Sequence, residues 1–154
     1  MNRKNIVSRR SFIFCPGLRP DMFPKAVNSG TDIVCIELED GIAPKDKDQA
    51  RKLTLDLFTT ALDGQGAELI VRINSVRDEF GLADIQAILK TSSPPPAIML
   101  PKVKTPDEVT WVDELFSERG HDTRIHVIIE TNAGLEAVYD IAKSSSRIDA
   151  LFFG

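Results

Sequence analysis

Short apolar runs alternate along the chain with stretches that keep a helical period. The runs are Ser11 to Cys15, Ile33 to Leu38, Leu69 to Ile73, Ala97 to Leu100, Ile125 to Ile129 and Ala150 to Phe153. Runs this short and this continuously apolar suit strands covered on both faces, and strands separated by helices imply a parallel sheet with crossover connections. Between the runs, Leu53, Leu57 and Ala61 keep one face of a helix. So do Leu82, Ile85 and Leu89, then Val109, Val112 and Phe116, then Leu135, Val138 and Ala142. The period makes these four stripes core. The Val109 helix has the clearest start: Thr105 offers a capping hydroxyl, Pro106 takes the first helical position and Glu108 the third, from which a carboxylate reaches back to the cap.

Strand ends fall near residues 15, 38, 73, 100, 129 and 153. At that spacing eight strands would run past about residue 200, in keeping with the roughly 250 residues typical of an eight-stranded barrel. The predicted fold is therefore α/β of the TIM (β/α)8 barrel type. Residues 1–154 are expected to form the N-terminal part of a single barrel domain, about its first six strands, as a truncated barrel.

Composition narrows the function classes. With 42% apolar and 27% charged residues the chain is an ordinary globular one, and no stretch nears the apolar length of a membrane span. A net charge of -4 offers no summed positive field for nucleic acid or anionic lipid, so neither is expected as a partner. Cys15 and Cys35 sit inside apolar runs, away from metal-knuckle or disulfide spacings, and read as buried thiols. Ser8-Arg9-Arg10-Ser11-Phe12 resembles a twin-arginine export signal, but only Phe12 to Cys15 are apolar before Pro16, too short for its apolar segment. A cytoplasmic location follows as the expectation.

Candidate chemistry lies at the C-terminal ends of the runs, the active face of an α/β barrel. There the sequence places Arg19, then Glu37-Leu38-Glu39-Asp40, Arg72-Ile73-Asn74, Pro101-Lys102 and Glu130-Thr131. Strand alternation puts Glu37 and Glu39 on one face and Val34, Ile36 and Leu38 on the other; by the same parity His126, Ile128 and Glu130 point inward. Several inward carboxylates in one cavity need compensating cations. Oxygen donors without a Cys or His cluster suit Mg²⁺. The competing reading has Arg72, Lys102 and the carboxylates simply pairing with one another.

The stretches RRSFIFCPGLRPDMFPKA, IELEDGIAPKDKDQAR, VRIN, MLPKV and IIETNAG, with LFFG at the end, resemble the citrate lyase beta-subunit and malyl-CoA lyase group of the HpcH/HpaI aldolase superfamily. The resemblance implies a Mg²⁺-dependent carbon-carbon lyase that cleaves a 3-hydroxyacyl thioester, citryl- or malyl-CoA-like, into a short acyl thioester and a 2-oxo acid. It implies Glu130 as a metal ligand, with a second ligand expected after Gly154. Arg72 matches the arginine that meets a substrate carboxylate or the developing enolate oxygen, and Glu39 is a candidate base. Arg19 and Lys25 match positions that meet coenzyme A phosphates or a carrier's pantetheine arm, and Lys102 and Glu130 join the substrate-binding set. Glu37 stands where the family usually has Asp. The resemblance also implies a homo-oligomer, a trimer or hexamer. Alternatives on the same scaffold are a malyl-CoA thioesterase, a 2-oxo-acid aldolase, or an inactive structural chain.

Overall fold

The computed structural model describes residues 8–60 and 64–154. Its six strands, β1 (Phe12–Pro16), β2 (Ile33–Glu37), β3 (Glu68–Arg72), β4 (Ala97–Leu100), β5 (Arg124–Ile129) and β6 (Ile148–Phe153), form one sheet in sequence order. Every neighbouring pair is parallel. This is a partial TIM-barrel-like fold, with each predicted strand in place to within two residues.

Strand parity sorts the core into two clusters. Val34, Ile36, Leu38, Val71, Ile98, Ile125, Val127 and Ile129 pack outward against the helices. Ile33, Cys35, Ile70, Ala97, Met99 and Ile128 pack with Phe12 and Phe152 on the concave side. Cys15 and Cys35 are both buried and unpaired, as expected. The apolar segment after Arg9-Arg10 is β1 itself, and the two arginines fork onto Glu68 and Asp32. Among the described residues no helix is long and apolar enough to cross a membrane.

The helices are α1 (Phe23–Val27), α2 (Lys47–Thr59), α3 (Glu79–Lys90), α4 (Pro106–Glu118), α5 (Asn132–Glu136) and α6 (Val138–Lys143). In α4 the predicted stripe is the buried one, with Val109, Val112 and Phe116 fully enclosed, and Glu108 accepts the Thr105 N–H at 3.1 Å as the box requires. The other stripes are corrected. α2 buries Lys47, Ala50, Arg51 and Thr54, a polar face at helical spacing, while Leu53 and Leu57 are half-buried and Ala61 lies outside the described residues. α3 buries Gly81, Asp84, Ile85 and Ile88 and leaves Leu82 50% exposed. The last helix is broken at Ala137, so Gly134 and Ile141 face the core while Leu135 and Ala142 are exposed. In each case the buried face carries a small or polar residue demanded by close packing or an ion pair, which a count of apolar side chains misses.

At the N-terminal end of the strands the concave side holds a charged cluster. Buried His126 donates to Glu68 at 2.9 Å and stacks on Phe152, while Arg9 and Arg124 pair with Glu68 and Asp149 at 2.6 Å each. Glu68, His126 and Asp149 bring their ligand atoms within 4.8 Å of one another, but two guanidinium groups already neutralise the carboxylates. Burial opposes ionisation of Glu68, yet bonds from His126 and Arg9 outweigh it and hold its pKa down to about 2 from 4.5. A depressed carboxylate stabilises the fold above its unfolded pKa and loses that contribution as pH falls through its folded one. Urea unfolding of the wild type should therefore weaken between about pH 4.5 and 2, and Glu68→Gln should flatten that part of the profile.

Candidate active site

The site grows from one register row. Pro16, Glu37, Arg72, Met99, His126 and Ala150 are successive neighbours across the sheet. Glu37 and Arg72 are thus direct cross-strand partners, and their side chains meet at 2.5 Å. Arg72 also lies 3.4 Å from Glu39 and presents its guanidinium to the Phe14 ring, 4.7 Å from the centroid. The other Glu37 oxygen accepts the N–H of Glu39. Glu37 therefore orients both Arg72 and the backbone of Glu39, two residues beyond the strand end.

The β2–α2 loop is held from beneath. Lys47 is buried and donates to the carbonyls of Leu38 at 2.8 Å and Glu39 at 2.5 Å. On the other flank, Lys102 contacts Glu39 at 2.5 Å and Asp40 at 2.9 Å, and its backbone N–H donates to Glu130 at 2.8 Å. The β3 exit is fixed by Asp84, which accepts the N–H and side-chain amide of Asn74 and pairs with Arg51. Lys47, Phe14, Arg51 and Asp84 were not singled out from the sequence. The only signal was spacing: positions 47, 50, 51 and 54 share a helical face despite their polarity.

Electrostatics set the chemistry. Four carboxylates, Glu37, Glu39, Asp40 and Glu130, face three cations, Arg72, Lys102 and the buried Lys47. Burial raises the pKa of Glu37 against the pull of Arg72, and raises that of Glu39 against Lys102 and Arg72. Asp40, more open, is held below its usual range by Lys102. The excess of anionic oxygen donors fits a hard divalent cation, and Glu130 has one oxygen tied to the Lys102 amide and one to spare.

Arg72 and Glu130 line one cleft of about 250 Å³, walled by Phe12, Phe14, Met99, Ile128 and Phe152 and reaching Gly154. Arg72, Glu39, Lys102 and Glu130 are brought together. Arg19 and Lys25 are not part of that cluster: Arg19 forks onto Asp21 at 2.8–2.9 Å, and Lys25 lines a neighbouring groove with Ile13, Phe14, Cys15 and Met22. The pairing left open by the sequence is present, since the ammonium of Lys102 and much of the Arg72 fork are taken by carboxylates.

The model of the HpcH/HpaI aldolase/citrate lyase family matches residues 10–154. The chain belongs to that family. Its relatives include an L-malyl-CoA/beta-methylmalyl-CoA lyase of Rhodobacter capsulatus, 36% identical over 152 residues, covering 94% of this chain and 48% of the relative. A citrate lyase subunit beta of Leuconostoc mesenteroides subsp. cremoris is 31% identical over 155 residues, covering 96% and 50%. Among solved structures, RipC from Yersinia pestis superposes with a TM-score of 0.78 at 32% identity, covering 96% of this chain and 59% of that one. CitE from Mycobacterium tuberculosis, crystallised with magnesium, acetoacetate and coenzyme A, gives 0.74 at 27% identity, covering 96% and 50%. The chain spans about half the length of the curated relatives it matches. Within the HpcH/HpaI family fold, that half carries β1 to β6 and the whole Arg72–Glu39–Lys102–Glu130 constellation.

Proposed function

We propose that this chain carries the catalytic half-site of a carbon-carbon lyase acting on a 3-hydroxyacyl thioester of the malyl- or citryl-CoA type. The observation that carries the reading is the cleft shared by Arg72 and Glu130, with the Glu39–Lys102 pair bonded to both of them. Its apolar walls suit a short acyl chain, and its two polar ends suit opposite ends of a charged one. Magnesium bound through Glu130 would supply Lewis acidity toward the hydroxyl and carboxylate oxygens of the substrate.

The protein's own residues do the rest. Glu39, made more basic by burial, accepts the hydroxyl proton; the carbon-carbon bond breaks, its electron pair passing to the thioester carbon framework as an enolate while the hydroxyl carbon becomes the oxo group of the 2-oxo acid. Arg72 faces the enolate oxygen with a permanent, oriented charge. Return of a proton to the enolate carbon yields the shorter acyl thioester. Glu37 keeps Arg72 aimed. Arg19 and Lys25 take the phosphates or pantetheine arm of the thioester at the rim.

Incubation with malyl-, methylmalyl- and citryl-CoA, following the oxo acid by hydrazone absorbance and free thiol separately, tests this reading. Oxo-acid release that disappears with EDTA and returns with Mg²⁺ is the expected result. Thiol release without oxo acid would make the protein a thioesterase instead and overturn the proposal.

A further inference from the structure

We propose that Lys102 is a positioning residue: its left-handed backbone conformation turns the residue 102 N–H onto Glu130 and so fixes which oxygen of that carboxylate is free to bind a cation. The inference rests on the reading of Glu130 as a cation ligand and adds a residue that the reading does not use for this purpose.

Lys102 has φ +54, a region that L side chains adopt rarely and that favours Gly or Asn. The other non-glycine residue with positive φ among those described, Gln65, sits in the turn before β3, far from any strand exit on the active face. Lys102 instead follows β4 directly, at the C-terminal edge of the sheet. A strained conformation persists only where its surroundings over-determine it. Here they do, at both ends of one residue. The ammonium is pinned to Glu39 and Asp40 on the β2 side, and the amide donates 2.8 Å to Oε1 of Glu130 on the β5 side.

The consequence is geometric. With Oε1 committed, Oε2 is the oxygen left on the side of Gly154, where a Cβ built on that glycine would lie 3.7 Å from it. It therefore faces the end of β6 and the shared cleft. A donor amide on one carboxylate oxygen orients the other, the service that partners outside the ligand shell give a metal ligand. No side chain at position 102 is needed for that bond; the backbone conformation is.

The test separates backbone from side chain in the 154-residue protein. Lys102→Gly keeps the N–H and accepts positive φ, whereas Lys102→Val, β-branched, resists it. Both variants lose the ammonium, so they are compared with each other: in Mg²⁺ titration by calorimetry the Val variant should bind about tenfold or more weakly than the Gly variant. If the Val variant fails to fold by circular dichroism, Lys102→Ala replaces it and should show a smaller loss in the same direction. In amide NMR spectra, the residue 102 proton should move upfield in Glu130→Gln, a response that general loop stability does not produce. Equal Mg²⁺ affinity for Gly and Val variants, or an indifferent amide, overturns the proposal. Should the wild type bind no Mg²⁺, the cation reading of Glu130 fails by itself, and the amide response alone decides whether Lys102 positions it.

Discussion

Arg72→Ala should lower turnover of a malyl-type thioester by about a hundred- to a thousandfold, with the loss in kcat rather than KM. The guanidinium contacts Glu37 at 2.5 Å, lies 3.4 Å from Glu39 and sits over the Phe14 ring, so its fork is held in place before any substrate arrives. A charge fixed in advance where the enolate oxygen develops stabilises the transition state more than the ground state, and its removal is felt in the chemical step. Arg72→Lys keeps a charge but loses the second donor and the ring stacking, and should recover only part of the rate.

The same substitution has a pH signature. Glu37 and Glu39 are 5% and 4% exposed, and burial already raises both above 4.5 despite Arg72. Without the guanidinium their folded pKa values rise further. A carboxylate raised on folding contributes stability below its unfolded pKa and loses it as pH climbs through the folded one. The Ala variant should thus come closest to wild-type melting temperature below about pH 4.5 and fall progressively behind toward pH 7. Equal melting offsets across that range, or unchanged turnover, would remove Arg72 from its assigned place.

What the sequence disclosed follows from what each signal measures. Strand alternation is set by the backbone, so the inward parity of Glu37, Glu39, His126 and Glu130 was readable, and Glu37 opposite Arg72 needed only the register. Helix faces were read from apolar side chains, and this succeeded for α4, where Val109, Val112 and Phe116 are enclosed. It failed for α3, where Gly81 faces inward because a Cβ there would sit 1.9 Å from the Ser75 carbonyl oxygen, leaving Leu82 outside. Lys47 was equally hidden, since its burial depends on two loop carbonyls whose positions exist only once β2 has turned toward α2. Long-range polar partnerships have no period, and no window of sequence contains both members.

Asp84 is the sharpest instance, and its replacement should be strongly destabilising. Its side chain is 1% exposed and accepts from Arg51 at 2.6 Å, from the Asn74 N–H at 2.8 Å and from the Asn74 amide at 2.7 Å. Asp84→Ala strands a largely buried guanidinium, which keeps the exposed Asp48 and a long bond to the Phe80 carbonyl at 3.5 Å, and leaves two donors of Asn74 unmet. Breaking one side of a buried pair costs about 3–5 kcal/mol, equivalent to roughly 10 °C in melting temperature for a chain of this size. The double variant Arg51→Met with Asp84→Ala should be less destabilised than the two single losses added together, because it no longer buries an unpaired charge. Strict additivity would show that the pair is not coupled. Asn74 stands two residues beyond Arg72 on the same strand exit, so Asp84→Ala should also loosen Arg72, seen as a lower kcat at temperatures well below its melting point.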